Sequence, residues 1–380
     1  MKIIHSSIMS EPAAGVIRQL EYEALAAKDL GYDWLTRIFT PESIDSEVGV
    51  SPNKKPASKL WFKIQYYRWL NKESRNVDVV ILRYSFHDPF QLLFAMLCNK
   101  PLYFVHHTLE EPELSLNPGF SGKIRLFMEK LLAPTTLFLS AGLIAVTDEI
   151  ALYEKSRVLL QSKKQTLLYP NGIMFPDTAN LSEEKSENEP SSLSDSKNAG
   201  NIAAPGSNST PVFLFVSSVF APWQGLEDLL LDAKNTPAEF QCHIVGKLTA
   251  EQEQYVKSDN RFVYHGYLDS QEIKELIQQS NIGLSALALG KKNMKSACTL
   301  KVREYLRDGL AVYAGYEDVF PDNFQYLKNG PIEINQICDY AVQNKLNNRS
   351  SVRTAARPFI EKKQLLQRLY TELNELHTNS

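Results

Sequence analysis

Residues 298–313 read CTLKVREYLRDGLAVY, and the rest of the chain can be parsed outward from them. Val302, Tyr305 and Leu306 fall at i, i+3 and i+4, which predicts a helix with one apolar face. Thr299 stands where its hydroxyl would cap the helix start, and Lys301 and Glu304 share a second face. Asp308-Gly309 stops the helix, and 310–313 is a short apolar run of the kind a parallel sheet buries on both faces. The apolar run 282–287 before it reads as a strand, so the intervening loop lies at that strand's carboxyl end, where open α/β sheets bind ligands. Unpaired N–H groups of the first helical turn favour an anion there, and Lys291, Lys292, Lys295 and Lys301 add positive charge.

The longer stretch LKVREYLRDGLAVYAG, 300–315, resembles the nucleotide-binding segment of retaining GT-B glycosyltransferases of family 4, in the branch that carries LK..EY...G.P. The resemblance implies a nucleotide-diphosphate sugar of the UDP or GDP type as donor, with no metal required, and Glu304 on its ribose. It also implies a fold of two Rossmann-like, doubly wound α/β domains facing a central cleft: an acceptor domain over 1–170, a donor domain over 171–355, and a C-terminal helix, 356–380, crossing back to the first.

Composition narrows the function classes. Lys plus Arg is 41 and Asp plus Glu is 44 in 380 residues, a net charge of −3, which argues against a nucleic-acid binder. Four scattered cysteines without a CxxC pair suggest neither a zinc site nor a disulfide framework, and fit a reducing cytosol. The opening MKIIHSSIM holds an apolar run too short for a signal-peptide core, and the run 131–146 is interrupted by Pro134, Ser140 and Gly142 and reads as a helix end and a buried strand. The expected location is cytoplasmic, peripheral at the inner face of the cell membrane.

In the first domain, 2–5 reads as a strand, 6–15 as a loop, and Ile17, Leu20, Ala24 and Ala27 as one face of a helix that Gly31 ends. Gly15 would let the backbone approach a ligand closely, and the resemblance puts donor phosphates or acceptor nearby. The segment 51–75 interleaves seven basic residues with Trp61, Phe62, Tyr66, Tyr67 and Trp69 against a single acid, Glu73. Such a helix suits an anionic membrane surface, with 123–132 as an amphipathic companion, or else packs its rings on the core; RNA is a third and weaker option. Arg83, His87 and Asp88 follow the strand 77–82. After the strand 101–105 comes HHTLEEPEL, whose histidines and carboxylates could hold a metal, although consecutive strand residues point to opposite sides. The preferred use is orientation or deprotonation of a hydroxyl by His107, with His106 second. HHT-E-EL also resembles the acceptor-side loop of the same family, which brings in Glu110. Asp148 and Glu149 read as acids capping a helix that starts at Thr147, and the resemblance makes Pro170-Asn171-Gly172 the turn between domains.

The stretch 178–210 is rich in Ser, Glu, Asn and Ala and reads as a disordered insertion. The family often places an arginine and a lysine on the donor diphosphate where this chain has Val219 and Gln224, so that role passes to backbone N–H groups around Ser218 and to the lysines near 300. The resemblance packs the base at Tyr267-Leu268. The glutamate that many members carry eight positions before Glu304 is Ser296 here, and Asp318 is a candidate for the cleft wall. Leu366, Leu369, Leu373 and Leu376 recur at helical spacing near the C-terminus. The expected function is transfer of a hexose, with retention, from a nucleotide sugar to a saccharide hydroxyl, on a lipid-linked acceptor in surface-polysaccharide assembly. The alternative is a non-catalytic GT-B protein that binds a nucleotide sugar or a partner enzyme.

Overall fold

The computed structural model describes residues 1–116, 119–161, 164–175 and 210–378. The insertion expected over 178–210 therefore lies, but for Thr210, outside the described residues. The first half runs β1 Ile3–Ile8, α1 Ala14–Asp29, β2 Trp34–Phe39, β3 Gly49–Val50, α2 Lys59–Glu73, β4 Val79–Arg83 and α3 Pro89–Leu97. It continues with β5 Leu102–His106, α4 Glu110–Ser115, α5 Phe120–Leu139, β6 Gly142–Ala145, α6 Asp148–Arg157 and β7 Gln165–Leu168. The second half runs β8 Val212–Val219, α7 Leu226–Lys234, β9 Gln241–Lys247, α8 Ala250–Ser258, β10 Phe262–Gly266, α9 Ser270–Gln279 and β11 Ile282–Leu284. Then come α10 Leu300–Arg307, β12 Ala311–Ala314, β13 Leu327–Asn329, α11 Ile334–Asn344, α12 Arg349–Ile360 and α13 Lys362–Thr378.

The strands form a seven-stranded sheet, β3-β2-β1-β4-β5-β6-β7, and a six-stranded sheet, β10-β9-β8-β11-β12-β13. Both are parallel throughout, and each reverses its order beside its first strand, at β1/β4 and at β8/β11. These are the switch points outside which doubly wound sheets take up ligands.

The organising segment folds as its apolar pattern predicts, although Thr299 does not cap the helix with its side chain. Val302, Tyr305 and Leu306 are buried, and β12 is buried along its whole length. The Tyr305 ring lies over Gly283 of β11, where an added Cβ would come within 2.4 Å of it. Its hydroxyl bonds the backbone of the neighbouring strand at Leu214 O and Val216 N. At the far end, Leu365, Leu366, Leu369 and Leu373 of α13 are buried with Ile3, Val79 and Val105, so the last helix completes the core of the first domain. The two crossings between domains pair with each other, Ile173 N–H to Ile360 O at 2.8 Å and Lys362 N–H to Ile173 O at 3.0 Å.

One local expectation changes, and one open alternative is decided. β1 extends to Ile8, so Ser6 and Ser7 are buried strand residues and not loop. In α2, Phe62 and Tyr66 are buried, Tyr67 and Trp69 pack partly beneath them, and Phe39 of β2 meets Phe62, Tyr66 and Trp69 with ring centroids 5.4–5.6 Å apart. Of the five rings only Trp61 is exposed. The rings are core residues, because the helix lies on an apolar sheet face that needs covering. No described helix is long and apolar enough to cross a membrane.

Candidate functional site

A cleft of about 660 Å³ separates the carboxyl ends of the two sheets. One wall comes from residues that follow β1, β4 and β5: Met9 and Ser10, Arg83 to Phe86, His107 and Thr108. The other comes from residues after β8 and β11: Trp223, Gln224, Lys292, Met294, Cys298 and Thr299.

On the first wall, His107 and Arg83 line the cleft. Both also border a cavity of about 20 Å³, large enough for one water, together with His5, Ser7, Glu23 and Lys362. His5 Nδ1 lies 2.6 Å from Glu23 Oε1, which also accepts from Trp34 and Thr36, while Tyr169 donates to Oε2. Burial alone would raise the Glu23 pKa, but His5, then the Lys362 charge and the Trp34 hydrogen bond, hold it at about 2. Burial lowers Arg83 to about 10, leaving it charged, and lowers Lys362. Burial, then the charge of Arg83, pushes His107 well below the usual histidine range, so it stands as a neutral imidazole. Such a ring accepts on one nitrogen and donates on the other, which suits it to orient a hydroxyl.

His106 and Glu110 belong elsewhere. His106 faces the opposite side of the sheet edge, stacked on Tyr84, with Nδ1 2.9 Å from Glu110 and 3.5 Å from Glu154. Arg157 closes this buried cluster, donating to Glu110 at 3.1 Å, to Glu154 at 2.8 Å and to Glu129. Burial lowers His106 to about 4. The alternation of side chains along β5 separates the two histidines, so neither His106 nor Glu110 lines the cleft. His106, Glu110 and Glu154 are close enough together to hold a cation, but the Arg157 guanidinium already supplies the positive charge among them.

On the second wall, Gln224 and Trp223 are seated by the PWQG turn. Leu287 N–H donates to Gln224 O at 3.0 Å and Ala288 N–H to Trp223 O at 3.2 Å. Gly225 makes this possible, with φ of +78° and Leu287 Cβ 2.9 Å from where its own Cβ would be. Thr299 occupies the N-cap position of α10 but does not cap it with its side chain. Its hydroxyl is held by Tyr316 at 2.8 Å and Ser285 at 3.3 Å, which leaves the first turn without a side-chain cap. Of the four lysines expected around this end only Lys292 lines the cleft, its Nζ 4.7 Å from the Trp223 ring centroid. Lys292 is itself paired with Glu113 of the same lining at 3.7 Å, Lys291 with Asp228, and Lys301 with Glu304 at 3.3 Å.

Glu304 stands at the domain boundary, where Arg18 of α1 donates to its Oε1 at 2.9 Å. Gly15 is there too: an added Cβ would lie 3.2 Å from Leu300, so its close approach is to the other domain and not to the cleft. Ser296 is buried, and the carboxylate beside it comes from the first domain. Glu149, expected to cap its own helix, accepts from the N–H groups of Lys295 and Ser296 at 3.0 and 2.6 Å and from the Ser296 hydroxyl at 2.9 Å. Tyr267 is exposed and donates to Ser218 O at 3.2 Å, while Leu268 packs on the core; these three sit outside the cleft lining.

Asp318 is also out of the cleft, buried in a two-pronged pair with Arg303 at 2.5 and 2.6 Å. Arg303 further donates to Asn171 O at 3.2 Å, and Asn171 Nδ2 donates to Cys298 O at 2.6 Å. The Pro-Asn-Gly turn is thus fixed to the start of α10. Sequence reading passed over Arg303, Trp223, Arg18 and Lys362. Trp223 had a signal, a ring in a tight loop after a strand; the others look like ordinary exposed bases.

No family model matches the chain, and no curated protein matches it in sequence. Among solved structures, a glycosyltransferase from Rickettsia africae is similar over 100% of both chains, at 14% identity and a TM-score of 0.64. Anabaena HepE in complex with UDP covers 99% of this chain and 100% of its own, at 13% identity and a TM-score of 0.62. Sucrose-phosphate synthase from Thermosynechococcus elongatus covers 100% of both, at 15% and 0.61. At such identities the likeness concerns architecture: two parallel α/β domains arranged over the full chain as in the GT-B fold.

Proposed function

We propose that the protein is a retaining glycosyltransferase that moves a hexose from a UDP- or GDP-type sugar to a saccharide hydroxyl. The observation that carries this is the cleft between two switch points, with neutral His107 and charged Arg83 on one wall and Lys292, Trp223 and the uncapped first turn of α10 on the other. The donor diphosphate lies against that turn and Lys292, whose charges stabilise it as it departs. The bond from the anomeric carbon to the phosphate oxygen breaks, the acceptor oxygen bonds to the same face of that carbon, and the acceptor proton passes to the leaving phosphate. His107 orients the sugar or acceptor hydroxyls. Arg18 releases Glu304 when the nucleotide ribose takes its place.

The acceptor is a saccharide on a lipid carrier at the inner face of the cell membrane, in surface-polysaccharide assembly; this rests on fold-level analogy and on the loop at 106–114. A non-catalytic reading draws on Val219 and Gln224, which stand where the family often places a basic pair, and on Ser296. Transfer assays with radiolabelled UDP- and GDP-sugars on mixed acceptors, with hydrolysis measured alongside, separate the two. Nucleotide binding with neither transfer nor hydrolysis across all donors would refute the transferase.

A further inference from the structure

The rings of α2 are core residues, yet the layer of helices to which α2 belongs carries an apolar outer surface on its other members. On α5, Phe120, Ile124, Phe127 and Leu131 fall at i, i+4, i+7 and i+11 on one stripe, with exposures of 82, 48, 66 and 61%. Two of them are phenylalanines, which soluble surfaces rarely leave this open. The opposite stripe of the same helix, with Glu129, Ala133 and Leu137, is buried. Beside it on α3, Leu93, Met96 and Leu97 are 52, 64 and 71% exposed, at i, i+3 and i+4. α3 packs against both α5 and α2, which puts the two stripes on neighbouring helices.

Charge around this face is mostly positive, with Glu111 of α4 against Lys130 as a counter-charge at 4.0 Å. Lys123, Arg125 and Lys130 are exposed on α5, and Lys59, Arg68, Lys72 and Arg75 along α2 and its end. The acids of the three helices are covered: Asp88 at the start of α3 and Glu129 are buried and Glu73 is half-buried. A second copy of the chain seated symmetrically would bring mostly like charges together, since Lys123, Arg125, Lys59, Arg68, Lys72 and Arg75 outnumber the Glu111 carboxylate beside Lys130. An anionic bilayer takes both features at once, apolar side chains into the boundary of the acyl layer and bases onto lipid phosphates.

We propose that the outer face of α3 and α5, flanked by the bases of α2, docks on the surface of an anionic lipid bilayer. The surface is separate from the cleft, so vesicle binding and sugar transfer are independent readouts and either can fail alone. The test is co-sedimentation of the full chain with phosphatidylcholine vesicles, with and without phosphatidylglycerol, for the wild type, Phe127→Asp/Leu131→Asp and Lys123→Glu/Arg125→Glu. Binding should be at least about tenfold tighter to the anionic vesicles and should fall by about tenfold or more in each variant. The side chains changed are exposed, so the thermal midpoint should stay at the wild-type value. Equal binding to both vesicle types, or wild-type binding by Phe127→Asp/Leu131→Asp, would overturn the proposal. So would a concentration-dependent dimer in vesicle-free ultracentrifugation that this double variant abolishes.

Discussion

Replacing Arg303 by methionine should destabilise the protein by about 3–5 kcal/mol, the range for removing one partner of a buried pair. Neither Arg303 nor Asp318 has any exposed side-chain surface, and both prongs of the pair are short. Without the guanidinium, Asp318 keeps one donor, the Val319 N–H at 2.7 Å, in a site from which water is excluded. Burial already raises the Asp318 pKa, with Arg303 opposing it, so the variant's carboxyl rises further. A carboxyl with a raised folded-state pKa favours the folded state at low pH, and that support is lost as pH rises through it. The deficit of Arg303→Met relative to wild type should therefore be larger at pH 7.5 than at pH 5. In a calorimetric melt the loss at pH 7.5 corresponds to roughly 6–20 °C for a domain of this size. Arg303→Met/Asp318→Leu, which removes both charges, should recover more than half of it. A single-variant loss below about 1 kcal/mol, or a double variant no better than the single, would refute the view that this pair holds the domain turn to α10.

Replacing His107 by alanine should lower turnover by about 10²-fold if it orients the reacting hydroxyls, with nucleotide affinity little changed; an unchanged turnover number removes it from the site. His107 is held neutral by burial and by Arg83, so the unfolded chain binds the extra proton as pH falls below about 6.5 and stability is lost in that direction. Between pH 7 and pH 5 the wild type should lose more stability than His107→Gln, by at most about 2 kcal/mol, and equal slopes in chemical denaturation would contradict this. Arg18→Ala should leave nucleotide binding intact or tighten it severalfold, because Arg18 holds the Glu304 carboxylate in the absence of nucleotide; calorimetry showing a large loss would mean Arg18 itself is a ligand.

The segment around α10 was legible because each level agreed: helical apolar spacing, a glycine stop, then a run apolar on every residue. The separation of His107 from His106 followed in the same way from strand alternation. What made His106 and Glu110 structural was not local, since Glu129, Glu154 and Arg157 reach them from α5 and α6. The basic, aromatic α2 could equally cover a core or a bilayer, as both need one apolar face. Only the neighbouring sheet, with Phe39 under the rings, decides it. Arg303 and Asp318 are 15 residues apart and look like solvated charges until the turn at Asn171 is seen to close over them.

The central claim is a nucleotide-sugar site in the cleft, and the most direct measurement is calorimetric titration of the full chain with UDP, GDP, ADP and their common sugar conjugates, repeated on Glu304→Ala and Lys292→Ala. The prediction is micromolar binding of one nucleotide, weakened by about tenfold or more in each variant, as expected for losing a hydrogen bond to a charged group. No binding by any nucleotide at millimolar concentration would contradict it, leaving the GT-B architecture without the donor site proposed for it.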